Sequence, residues 1–219
     1  MSDQGYNPKM LSAKMKLLER FRARAPQPET EAERRRLPPG QHLTSGFPVL
    51  DLGVRPPINR ETWRLEVTGE VDQPWFFSWK EFRSLPRIEL VRDFHCVTSW
   101  SKYDVRWGGV QFRRVAERVG LKPAARFVIA SGGEGYTTNI PLEDCLREDV
   151  ILADELDGQP LPLEHGGPVR LLVPHLYAWK SCKFLRGLLF AEKDEPGFWE
   201  VRGYHNYGDP WREQRYSRR

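Results

Sequence analysis

Short strand-like runs, closely punctuated by turn formers, dominate this chain. Glycine and proline each occur 18 times in 219 residues. No long alternation of strand and helix appears, which argues against a doubly wound parallel sheet. Trp63, Leu65 and Val67 alternate with polar neighbours, the pattern of a half-buried strand beginning near Thr62. Ser78-Trp79-Lys80-Glu81 fits a capping box opening a short helix that ends before Pro86. Ile88, Leu90, Val91 and Phe94 form a strand-like approach to Cys96. Phe112 to Val119 reads as a helix stopped by Gly120, and Pro141 to Leu146 as a helix with proline in its first turn. Residues 127–130, 169–173, 185–190 and 198–201 read as further strands. The expected fold class is α+β, a strand-rich mixed sheet with short helices between strands.

The N-terminal 45 residues differ from the rest. They hold nine Lys/Arg and five Asp/Glu, which accounts for the whole net charge of +4 and leaves the remainder neutral. Met10, Leu11, Met15, Leu17, Leu18 and Phe21 recur at helical spacing, so a short amphipathic helix is expected over Met10–Arg24. Pro26, Pro28, Pro38 and Pro39 make residues 25–45 an extended linker that wraps the domain. The expected organisation is a basic arm over 1–45 and one domain over 46–219. The arm carries no nucleic-acid motif and is read as solvated, so no nucleic-acid partner is expected. No apolar run reaches the roughly 18 residues of a membrane span. Read as it stands, the sequence shows no export signal, so a cytoplasmic location is expected; a monomer is a separate expectation. Three widely spaced cysteines do not make a disulfide framework.

Two stretches carry candidate chemistry. In Arg92-Asp93-Phe94-His95-Cys96-Val97-Thr98-Ser99-Trp100-Ser101 a thiol sits where a strand enters a polar turn, a place where reactive groups are held rigidly yet reach a pocket. A buried free cysteine acting as a small hydrophobe is the alternative. His165 through Lys183 forms the second stretch, with Arg170 inside the apolar run Val169-Arg170-Leu171-Leu172-Val173. A guanidinium there needs an anionic or carbonyl partner. Arg170, Lys180, Ser181 and Lys183 converging on one pocket would suit a phosphate; ordinary surface lysines are the alternative. Gly132-Gly133-Glu134-Gly135 lacks the Gly-Lys-Ser/Thr of a phosphate loop. None of the five histidines stands at zinc-site spacing, because neighbours His95 and Cys96 point apart on a strand.

At these stretches the chain resembles the sulfite oxidase family of molybdenum enzymes. Phe94-His95-Cys96-Val97-Thr98-Ser99-Trp100-Ser101, with Asp104 and Trp107-Gly108-Gly109-Val110, is similar to that family's metal-ligating cysteine segment. Gly135-Tyr136-Thr137-Thr138-Asn139-Ile140-Pro141-Leu142 resembles its active-site tyrosine segment, and His165 through Lys183 its pterin-binding segment. The three occur in the family's order across about residues 45–205. The resemblance implies a sulfite oxidase-type fold and a molybdenum-molybdopterin cofactor. It implies Cys96 as the metal ligand, with Tyr136 over the open side of the metal. Ser131, His165, Arg170, Ser181, Cys182 and Lys183 would line the cofactor. Lys180 stands where sulfite oxidases offer an arginine to the substrate anion, a departure that weakens sulfite as the substrate. The chain as read has no counterpart of the family's heme or immunoglobulin-like domains.

The implied function is oxygen-atom transfer on a small oxyanion or an S-/N-oxide, with electrons exchanged with a separate electron-transfer protein. The other reading is a non-catalytic module that keeps the fold to bind a partner protein.

Overall fold

The structure is a computed structural model that describes residues 25–51, 55–133 and 135–217, with five helical positions between residues 8 and 16. The apolar stripe of the expected Met10–Arg24 helix lies outside the described residues.

Two mixed sheets carry the chain. The first is built from β1 (His42–Leu43), β4 (Arg87–His95), β5 (Trp100–Gln111), β8 (Ile151–Leu156), β9 (Gln159–Pro160) and β10 (Arg170–Leu172). The second runs in the order β3 (Trp75–Ser78), β2 (Arg64–Gly69), β11 (Gly187–Ala191), β6 (Phe127–Ser131) and β7 (Thr137–Pro141). Most pairings are antiparallel, but β1 joins β5 and β11 joins β2 in parallel. The strand-rich α+β expectation is the architecture found.

Local chemistry explains the elements. Arg64–Gly69 buries Leu65 and Val67 and turns Arg64 and Glu66 to solvent, the period of two that its sequence shows. Ser78 accepts from the Glu81 amide while the Glu81 carboxylate accepts from the Ser78 amide, so α2 (Trp79–Ser84) opens on a capping box. Helix α3 (Phe112–Val119) buries Phe112, Val115, Ala116 and Val119, and Gly120 at φ 67° ends it. Helix α4 covers Leu142–Cys145. The expected strand over residues 198–201 is not formed. That segment is a 3₁₀ turn, Glu200–Arg202, because Gly203 at φ 96° takes the chain out of extended geometry. The longest strand, β5, was not legible as one: it contains Gly108 and Gly109 and few consecutive strand formers.

Those glycines are required by packing. At Gly109 a Cβ would lie 2.2 Å from the Leu152 carbonyl oxygen and 2.8 Å from the Ala153 Cα, where β5 shifts register against β8. Residues 31–43, expected to be extended, include a short helix and a strand and contact the sheet. Helix α1 (Glu31–Arg35) leads to Arg36, whose guanidinium meets Asp93 at 2.5 Å and Asp104 at 2.6 Å. β1 then adds alongside β5.

Gly109→Ala is expected to lower the unfolding free energy by about 1–3 kcal/mol through overpacking against backbone. Gly46→Ala, where a Cβ meets nothing within 4 Å, should change it by less than about 0.5 kcal/mol. Urea unfolding of both variants checks this; equal stabilities would refute the close approach.

Candidate active site

Loops from both sheets converge on one solvent-accessible cleft. Cys96 reaches it from the turn between β4 and β5, and Tyr136 from the turn between β6 and β7. Arg170 enters from β10, and Ser181 and Lys183 from the segment after it. His165 lines it from the 3₁₀ turn Leu163–His165. Six of the sequence-nominated residues therefore share one cavity.

Cys96 is buried, and its Sγ accepts from the Thr98 hydroxyl at 3.2 Å. The turn is closed by Cys96 N–H to Trp100 O at 2.9 Å and Ser99 N–H to Cys96 O at 3.0 Å. Burial raises the thiol pKa, with the Thr98 hydroxyl and the charges of Lys183 and Arg215 pulling it back down. Arg170 is 2% exposed. Its guanidinium donates to the carbonyls of His165 and Ser181, both at 2.9 Å, and lies 5.1 Å from the Phe94 ring centroid. Among the described residues no carboxylate pairs with it. Desolvation lowers its pKa to about 10. The Ser181 hydroxyl accepts from the Val173 amide, and Lys183 donates to the carbonyls of Leu50 and Glu164. His165 stacks on Phe47 with centroids 4.5 Å apart, and burial pushes its pKa down to about 4, so the ring is neutral. The Tyr136 hydroxyl donates to the Trp179 carbonyl, and burial holds its pKa well above the ordinary value.

The remaining three nominated residues stand apart. Ser131 ends β6 against the backbone of Gly187, and its side chain does not line the cleft. Cys182 lies beneath Gly132 with its thiol pushed up to about 12 by burial. Lys180 departs most. Its ammonium is 1% exposed and pairs with Glu200 at 2.5 Å, while also donating to Asn139 and Asn206. It is a buried internal cation, not a group offered to the cleft. The sequence placed it correctly in a turn, but the 3₁₀ geometry of Ala178–Lys180 turns its side chain inward.

Several lining groups escaped the sequence analysis. Phe47 and Leu50 come from the segment of residues 36–50 that straps across the domain. Trp199 and Tyr204, stacked at 4.9 Å, form the facing wall. No local signal marks Gln41 or Arg215, which donate to the Cys96 and Val97 carbonyls at 3.0 and 2.6 Å from positions 55 and 118 residues away.

The residues suit an anionic pterin carrying a soft metal. A buried guanidinium without a carboxylate is costly and favours an anion beside it. Among the described residues no cluster of three or more His, Cys, Asp or Glu could hold a metal. One thiol alone would need sulfur donors supplied by the cofactor itself, as a dithiolene does.

The Lys180–Glu200 pair generates its own expectation. Lys180→Met should destabilise the fold by about 3–5 kcal/mol, since it strands a buried carboxylate. Adding Glu200→Gln should restore part of that loss. Urea unfolding of the single and double variants measures it, and a silent Lys180→Met would show the pair to be solvated.

Comparison with known proteins agrees with the geometry. Residues 52–199 match the oxidoreductase molybdopterin binding domain. The chain is 48% identical over 183 residues to the uncharacterized oxidoreductase YuiH of Bacillus subtilis (strain 168), covering 83% of this chain and 92% of that protein. It is 30% identical over 151 residues to the putative protein-methionine-sulfoxide reductase subunit YedZ1 of Azospira oryzae, covering 69% and 57% of the two. It is 25% identical over 168 residues to the protein-methionine-sulfoxide reductase catalytic subunit MsrP of Campylobacter jejuni, covering 69% and 56%. The chain thus spans a little over half the length of these two reductase relatives. In fold it matches the sulfane dehydrogenase SoxCD from Paracoccus pantotrophus, with a TM-score of 0.61 and 22% identity over 66% of this chain and 42% of that one. The chain belongs to the family of oxidoreductases with a molybdopterin-binding domain, a sulfite oxidase-like molybdenum enzyme by both sequence and fold.

Proposed function

We propose that this oxidoreductase carries out oxygen-atom transfer with Cys96 as the protein ligand of its molybdenum. The observation that carries the reading is the meeting, in one cleft, of a buried thiol and a buried guanidinium that has no carboxylate partner among the described residues. Arg170, Lys183, Ser181 and His165 would hold the pterin and its phosphate, the first two through charge. When bound, the cofactor would supply two-electron redox chemistry.

The chain's own residues shape what enters. Tyr136 stays protonated over the working pH range, so its hydroxyl is a donor at all times. Its bond to the Trp179 carbonyl ties the β6–β7 turn to the Ala178–Lys180 turn and fixes the ring at the cleft. His165, neutral against Phe47, adds no charge. Phe47, Phe184, Trp199 and Tyr204 wall the approach with apolar surface that excludes water. The one cation nominated for substrate, Lys180, is neutralised by Glu200. This favours an uncharged S-oxide over a small oxyanion such as sulfite, in keeping with the methionine-sulfoxide reductases among the relatives. With three cysteines in all, the sequence cannot supply the four thiolates of an iron–sulfur cluster. In this reading a separate electron-transfer protein would exchange electrons with the site.

Cys96→Ser preserves shape and volume but replaces a soft thiolate with a hard alcohol. It should abolish turnover of methionine sulfoxide with a dye donor while retaining part of the bound molybdenum. Cys145→Ser and Cys182→Ser, buried away from the cleft, should keep most activity, Cys182 being the more sensitive. Metal analysis and turnover of all three decide the matter. A fully active Cys96→Ser, or a parent enzyme turning over sulfite and not sulfoxides, would refute the ligand or the substrate class respectively.

A further inference from the structure

We propose that Arg215 is a positioning residue for Cys96: its guanidinium, with the side chain of Gln41, fixes the peptide planes of the cysteine turn and thereby aims the thiol. The inference rests on Cys96 being the metal ligand.

Two backbone hydrogen bonds close the turn Cys96–Ser99. One of them already uses the Cys96 carbonyl as acceptor; the Val97 carbonyl and the second lone pair of the Cys96 carbonyl are held from elsewhere in the chain. Ser99 sits at φ 73°, a left-handed conformation that is unfavourable for a non-glycine residue. Such a turn does not fix itself. Gln41 Nε2 donates to the Cys96 carbonyl at 3.0 Å. Arg215 Nη1 donates to the Val97 carbonyl at 2.6 Å, and Nη2 to the Pro39 carbonyl at 3.3 Å. The two ends of the described chain therefore meet on the cysteine turn.

The Val97 carbonyl shares its peptide plane with the Thr98 amide. Holding that plane orients Thr98, whose hydroxyl donates to Cys96 Sγ at 3.2 Å. A thiolate ligand's donor strength depends on such hydrogen bonds. Arg215 is itself firmly placed. Its carbonyl accepts from the His205 amide at 3.1 Å, and its guanidinium lies 5.1 Å from the Tyr177 ring centroid. Gly40, at φ 69°, admits this approach: a Cβ there would lie 2.6 Å from Glu213 Oε1 and 3.1 Å from Arg215 Nη2. A planar fork spans two carbonyls, whereas a lysine ammonium on a flexible stem does not hold both in one plane.

The test uses the full chain loaded with cofactor. Arg215→Gln, Arg215→Lys and Gln41→Ala are compared with Arg212→Gln, a 75%-exposed arginine of the same tail. The readouts are molybdenum content, thermal stability, the electron paramagnetic resonance spectrum and midpoint potential of the metal, and kcat against KM. Arg215→Gln is expected to keep its metal, shift spectrum and potential, and lower kcat about 10–100-fold with KM little changed. Arg215→Lys should recover part of the loss, and Arg212→Gln should match the parent. A parent-like spectrum and potential in Arg215→Gln overturns the inference whatever happens to its stability, because a mere tail anchor would move only the melting temperature. Should Arg215→Gln fail to fold, Gln41→Ala carries the same readout, and an unchanged spectrum there overturns it. A silent Arg215→Gln beside an inactive Cys96→Ser removes the positioning role alone; a fully active Cys96→Ser removes the ligand assignment beneath it.

Discussion

Arg170 places a positive charge in the interior of a sheet strand, where among the described residues its hydrogen-bond acceptors are carbonyl oxygens. Taking a guanidinium out of water without a carboxylate is among the most unfavourable acts a fold can perform. The surroundings are arranged to make it tolerable. The His165 carbonyl comes from the 3₁₀ turn before β10, and the Ser181 carbonyl from the turn after it. Phe94 and Trp107 lie within 5.1 and 5.4 Å of the charge and offer aromatic rings to it. Both turns flanking β10 are thus drawn to one side chain. The cavity beside it is where an anion would gain most.

A second buried cation nearby serves a different end. Lys180 is matched by Glu200, and Glu200 also accepts from the Trp179 indole at 2.9 Å and the Thr138 hydroxyl at 3.1 Å. The ion pair therefore joins β7, the Ala178–Lys180 turn and the Glu200–Arg202 turn behind the cleft wall. Trp179 carries that support forward, since its carbonyl receives the Tyr136 hydroxyl and its ring faces the cavity. One lysine is locked into the scaffold by a carboxylate, while Arg170 has no carboxylate partner among the described residues.

The strap ties these parts together. Arg36 binds Asp93 and Asp104 on the cysteine hairpin, β1 pairs with β5, and Phe47 then packs among Phe94, Trp100, Trp107 and His165. Lys183 holds the Leu50 carbonyl at the cleft rim. A proline-rich segment with little secondary structure of its own thus supplies one wall of the site. Its order comes from long-range contacts, not local propensity.

The sequence by itself determined the features that rest on local chemistry. The period-two burial of Arg64–Gly69, the Ser78–Glu81 capping box and the Phe112–Val119 helix with its glycine stop follow from neighbours within one element. So did the nomination of Cys96, Tyr136 and the His165–Lys183 stretch, because each motif is contiguous along the chain. Tertiary structure alone decided which nominated side chains face the cleft. Lys180 and Ser181 are adjacent in sequence, yet one enters an ion pair behind the wall and the other lines the cavity, since turn geometry sends successive side chains in different directions. It also decided the length of β5, whose two glycines form no local strand signal and are needed only because Glu155 and Leu152 press against them. Gln41 and Arg215 could not be read from the chain at all. Their partners are backbone carbonyls 55 and 118 residues distant, and a carbonyl leaves no mark in an amino-acid sequence.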